Sequence, residues 1–104
     1  MKLLNSFSLN MLADLTVDLR VREIPLTEAR ACAADLVSAV GHADTAAVYS
    51  EQLGVAIATA RVTVSLAKGE TVLVGQYRGP RLPEGATHLP TGATIQWLLV
   101  TVVA

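Results

Sequence analysis

The chain has 104 residues, of which 52% are hydrophobic, 16% charged and 4% aromatic. That is enough for one domain with a real core and too little for two, so residues 1–104 are read as a single domain. The formal net charge of -1 excludes a protein that coats nucleic acid through a bulk basic field, because such affinity comes from many released counterions. DNA is not an expected partner, and any anionic ligand must meet a local cluster of charge.

Cys32 is the single cysteine and cannot form an internal disulfide; no Cys/His spacing matches a zinc site, so neither a metal nor a cofactor is expected. The default compartment is cytoplasmic. The opening "MKLL" is followed by Asn5, Ser6, Ser8 and Asn10, which interrupt the apolar run before it reaches the roughly 7 to 15 residues of a signal-peptide core. The longest apolar run, "WLLVTVVA", falls well short of the roughly 18 residues of a membrane span. Neither export nor membrane insertion is expected.

In chain order, "KLLNSFS" reads as a first strand. "VDLRVRE" reads as a second, because Val17, Leu19 and Val21 alternate with Asp18, Arg20 and Arg22 as on a sheet wet on one face. Pro25 ends it. After Thr27 as N-cap, Ala29, Cys32, Ala33, Leu36, Val37 and Val40 fall at the spacing of an amphipathic helix that covers a sheet face. "GHADTAAVYSEQLG" predicts a turn and a second helix, capped by Asp44 or Thr45 and stopped by Gly54. Three strands follow: "ARVTVSL", "ETVLVGQY" after an "AKGE" turn, and "TIQWLLVTVV", whose β-branched and aliphatic run suits a central position. The fold class is α/β or α+β. Between the last two strands lies "RGPRLPEGATHLPTG", a long loop of the kind that in a compact domain is functional or disordered.

Taken singly, the polar residues have ordinary readings. Ser8 and Asn10 make local turns at a strand end, His42 is a residue at a helix start, and Arg61 faces solvent on the side of a strand opposite Val62, Val64 and Leu66. Cys32, Tyr49 and Trp97 read as core. No Gly-rich phosphate loop, GxSxG or HExxH is present. What the residues support by themselves is a compact α/β domain with a candidate anion site at His42, where the free N–H groups of a helix start favour negative charge.

Four separated stretches, "LNSFSLNML", "VSAVGHADTA", "ARVTVSL" and "VGQYRGPRLPEG", together resemble the small proteins of archaeal viruses, phages and bacteria that include the viral type III anti-CRISPR ring nuclease and its host-encoded relatives. The resemblance runs nearly end to end. It implies a homodimer of mixed five-stranded sheets flanked by helices, which binds cyclic tetra-adenylate, the second messenger of type III CRISPR systems, across the dimer axis and cuts it without a metal. By position, His42 matches the family's catalytic histidine, and Arg81 and Glu84 match its active-site arginine and glutamate. Asn5, Ser8 and Arg61 match positions near the bound nucleotide. The segment Gln76–Arg81 is a residue longer than in viral members, which makes Arg78 a candidate to share the role of Arg81.

The chemistry fits that assignment. An RNA phosphodiester is cut without a metal when the neighbouring ribose 2′-OH is swung in line with the leaving 5′-oxygen, so the sugar and phosphate must be held in a rare conformation. Asn5, Ser8 and Asn10 carry short side chains that hydrogen-bond riboses and phosphates. Arg81 offers a fork of donors to the phosphorane, and His42 protonates the departing 5′-oxygen. Glu84 orients His42 or Arg81, or acts on the 2′-OH; the sequence leaves these open. A ring of four identical nucleotides shares its two-fold axis with an isologous dimer, where Arg61, Arg78 and Arg81 from both copies converge. Two other classes compete with an enzyme: a non-catalytic binder of the cyclic nucleotide, and a protein-interaction module that uses the long loop and a strand edge.

Overall fold

The computed structural model describes residues 1–104 throughout. Five strands form one mixed sheet: β1 (Lys2–Leu4), β2 (Asp18–Ile24), β3 (Val37–Ser38), β4 (Thr71–Arg78) and β5 (Thr94–Val103). Two helices, α1 (Leu26–Ala31) and α2 (Ala43–Leu53), complete an α+β domain. The strand order is β2-β5-β4-β1-β3. β1 runs parallel to both of its neighbours, β3 and β4, while β5 is antiparallel to β4 and β2. β1, β3 and β4 therefore all point their carboxyl ends to the same edge of the sheet.

Alternation along the strands divides the core in two. Leu73 and Trp97 join Leu3, Ile24, Tyr49 and Leu53 on the helical side. Val72, Val74, Val100 and Val102 face the other way, with Leu4, Val64 and Leu66. No α-helix covers that second face; Phe7, Met11, Leu12 and Val17 pack against it from the segment between β1 and β2, which holds one 3-10 turn. No polar or charged residue is buried, and no buried side-chain polar atom lacks a hydrogen-bond partner.

Two segments depart from the sequence reading, and each departure has a tertiary cause. The helix expected from Ala29 to Val40 stops at Ala31, becomes a single 3-10 turn over Ala33–Asp35, and turns extended at Leu36. Pro25, not Thr27, stands at its N-cap. Val37 N–H donates to the Met1 carbonyl and Ala39 N–H to the Leu3 carbonyl, so β3 satisfies an edge of β1 that a helix would leave open. The strand expected over Ala60–Leu66 is extended chain with a lone bridge, Leu12 to Leu66. It crosses the sheet face, where Val64 and Leu66 are buried while Val62 is 60% exposed, and so it joins no ladder. The first strand ends at Leu4 rather than Ser8.

Candidate active site

The carboxyl ends of parallel strands leave backbone groups and loops at one edge, which is where open α/β sheets bind ligands. Here that edge collects Asn5 after β1, Ala39–His42 after β3, and the loop of residues 79–93 after β4. Two adjoining clefts open there, of about 970 and 230 Å³, and His42 lines both.

His42 is the N-cap residue of α2, in extended conformation (φ -126°, ψ 130°), where Asp44 or Thr45 was expected. Its carbonyl accepts the Ala46 N–H at 2.9 Å, but its imidazole makes no capping bond. The ring is exposed and free to meet a ligand. At its other end α2 stops as expected, on Gly54 in the left-handed region (φ 75°), which donates to the Ser50 carbonyl.

The larger cleft also takes Tyr77 from the end of β4 and Arg81, Leu82, Pro83 and Glu84 from the loop, with Asp44 and Thr45 from the first turn of α2. The three residues expected to be catalytic, His42, Arg81 and Glu84, thus share one cleft. Glu84 sits in a tight turn closed by the Ala86 N–H on the Pro83 carbonyl at 3.1 Å, with Gly85 at φ 80°. The Gly85 N–H donates to Asp44 Oδ1 at 2.9 Å. Tyr77 Oη donates to the Pro80 carbonyl at 2.5 Å, fixing where the loop leaves the strand. Further along the loop, His88 Nδ1 lies 3.9 Å from Glu51 Oε1 on α2.

The smaller cleft has an apolar floor of Leu4, Met11 and Val64, and a polar rim of Asn5, Ser6, His42 and Arg61. Arg61 was expected on the side opposite Val62 and Val64, yet lines this cleft with both, because the segment follows no strand alternation. Gly41 lies against Arg61; a Cβ there would be 3.8 Å from Arg61 Cα and Cγ.

The remaining expected binders lie outside both clefts. The Ser8 hydroxyl accepts the Asn10 N–H at 3.2 Å and caps a 3-10 turn over Leu9–Met11, the local-turn reading of these residues. Alternation along β4 sends Arg78 to the face of Val72 and Val74, away from Tyr77 and the larger cleft. The ion pairs join Lys2 to Glu70, Arg22 to Glu28 and Lys68 to Asp14, while His88 stands beside Glu51. Arg61, Arg78, Arg81 and Glu84 take part in none of them. The larger cleft sets Arg81 against the carboxylates of Asp44 and Glu84, so it is not a basic pocket. No group of three or more His, Cys, Asp or Glu side chains stands close enough together to hold a metal ion.

Tyr77 and Ser6 were not expected in the site, and Asp44 and Thr45 were read only as caps. Tyr77 ends a strand, which offers a weak hint; the others carry no signal that separates them from ordinary polar residues. No helix is long and apolar enough to cross a membrane.

The fold is similar to that of B116 of Sulfolobus turreted icosahedral virus, with a TM-score of 0.76 and 24% sequence identity over 96% of this chain and 97% of that one. At that identity the likeness is one of fold. No curated protein matches the chain in sequence. Residues 1–92 match the model of the STIV B116-like family, and the chain belongs to that family.

Proposed function

We propose that the protein is a metal-independent ring nuclease that opens cyclic tetra-adenylate into linear di-adenylate with 2′,3′-cyclic phosphate ends, switching off or inhibiting a type III CRISPR response in the cytoplasm. The observation that carries the proposal is the gathering of His42, Arg81 and Glu84, distant in sequence, into one open cleft whose wall at His42 continues into a second cleft bearing Asn5 and Arg61.

The 2′-oxygen of one ribose attacks the adjacent phosphorus, its proton leaves to a base or to water, and the P–O5′ bond breaks; the same cut at the opposite phosphodiester of the ring releases two di-adenylates. His42 gives a proton to the departing 5′-oxygen, and Arg81 stabilises the charge that builds on the phosphorane. Glu84 is placed to orient Arg81 or His42, or to accept the 2′-OH proton. Asn5 and Arg61 hold the neighbouring nucleotide in the smaller cleft. In a homodimer around the ring's two-fold axis, two Arg61 and two Arg81 would meet the four phosphates of the ring.

The test is a single-turnover time course of labelled cyclic tetra-adenylate with EDTA present. Linear di-adenylate with a cyclic phosphate end is the expected product. A ring that binds and stays intact would make the protein a binder, and a ring that fails to bind would leave a protein-interaction module.

A further inference from the structure

The loop that carries Arg81 and Glu84 touches the helix that carries His42 through few polar contacts. Two of its hydrogen bonds, Ala86 to Pro83 and Ala93 to Pro90, close turns within the loop, and the Tyr77 hydroxyl holds Pro80. The bond that reaches α2 runs from the Gly85 N–H to Asp44 Oδ1 at 2.9 Å. Its acceptor lies two residues from His42 and its donor follows Glu84 directly.

Asp44 stands in the first turn of α2, where the helix dipole favours a carboxylate. The N-cap position belongs to His42, one residue outside the helix, and the Asp44 carboxylate makes its hydrogen bond to the loop. Glu51 follows seven residues later, two helical turns on and so on the same face, and there it meets His88. The His88 pair is long and its histidine side chain is 79% exposed, so it adds little. The bond at Gly85 is charge-assisted and of ordinary length, between the half-buried Asp44 and the exposed Gly85. Gly85 also has φ 80° with nothing near the place of a Cβ, so the turn presents its amide outward without obstruction.

We infer that Asp44 is a positioning residue: its carboxylate holds the Gly85 amide and so fixes the loop bearing Arg81 and Glu84 against the helix start bearing His42. The contact stands on the geometry, while its effect on rate rests on the ring-nuclease reading. Without it the loop keeps its own turns but loses its register on α2, and the arginine and glutamate no longer share one geometry with the imidazole.

Asp44→Ala and Asp44→Asn separate this role from the helix dipole, because asparagine keeps the accepting oxygen and loses the charge. Two measurements are needed: amide hydrogen exchange at Gly85, and single-turnover cleavage of cyclic tetra-adenylate. In Asp44→Ala, Gly85 should lose its protection and cleavage should slow about tenfold, the scale of one lost charge-assisted hydrogen bond; Asp44→Asn should restore most of both. Equal Gly85 exchange in wild type and Asp44→Ala would overturn the inference. So would an Asp44→Asn variant as slow as Asp44→Ala with Gly85 still protected, since the charge and not the clasp would then matter. If wild type leaves the ring intact, the nuclease reading fails by itself, and Gly85 exchange alone decides whether Asp44 holds the loop.

Discussion

The Tyr49 hydroxyl donates to the backbone carbonyl of Gly75, and the absence of a side chain at Gly75 is what lets the ring lie there. A Cβ on Gly75 would stand 2.7 Å from Tyr49 Cε2 and Cζ. Tyr49 is 1% exposed and meets Trp97 edge-on, with ring centroids 5.1 Å apart. This contact sets the height of α2 over β4. Since α2 begins at the His42 cap and β4 ends beside Tyr77, it also sets the spacing of the cleft's two walls.

Gly75→Ala should therefore destabilise the fold by about 2 kcal/mol, the range of overpacking in a core that cannot yield. Urea denaturation at unchanged slope measures it. A variant as stable as wild type would mean that the Tyr49 ring can shift, and that the wall spacing is not fixed by this contact.

Burial holds the Tyr49 hydroxyl well above its ordinary pKa of 10.0. The folded state keeps this proton while the unfolded chain releases it from about pH 10, so the contribution is complete below that pH and is lost as pH rises beyond it. The expected loss approaches about 1.4 kcal/mol per pH unit for one proton. Tyr49→Phe should start less stable, by about 1 to 2 kcal/mol for the lost buried hydrogen bond, yet decline less steeply above pH 10. Parallel alkaline curves for the two proteins would assign the decline to other groups.

His42 is exposed and its ring caps nothing, so His42→Ala should leave the melting temperature nearly unchanged. Cleavage should slow by on the order of a hundred- to ten-thousandfold, the usual worth of a general acid, with ring binding retained. An undiminished rate would move the acid to another residue without touching the proposed function.

Arg81 lines the larger cleft and Arg78 does not. Arg81→Ala should weaken both binding and cleavage, the latter more, because a guanidinium on a phosphate serves ground state and transition state but favours the phosphorane. Arg78→Ala should cost less in both. Titration of the ring against each variant, followed by single-turnover rates, ranks them; a larger loss at Arg78 would place the scissile phosphate over the other face of the sheet.

Elements whose signal is local were legible before folding was considered. β5 covers the same Thr94–Val103 run that its β-branched and aliphatic residues mark out, β2 ends before Pro25, and α2 ends on Gly54. The catalytic candidates were identified by resemblance, and the structure brings His42, Arg81 and Glu84 to one cleft. Ser8, chosen on the same basis, lies outside both clefts, as do Asn10, chosen for its short polar side chain, and Arg78, a candidate because of the extra residue in Gln76–Arg81.

What the sequence determined by itself was the set of strongly patterned elements and the long loop, because periodicity and turn residues act over a few neighbours. Tertiary structure decided the rest. Leu36–Val40 has apolar spacing compatible with a helix, and it became extended because β1 offered unpaired backbone groups that the sequence does not display locally. Ala60–Leu66 alternates like a strand but lies across a face, where burial of Val64 and Leu66 replaces a ladder. The carboxylate of Asp44 reads as a cap in the chain and meets Gly85 in space, a choice between nearby and distant hydrogen bonds that is made only when the loop folds back onto α2.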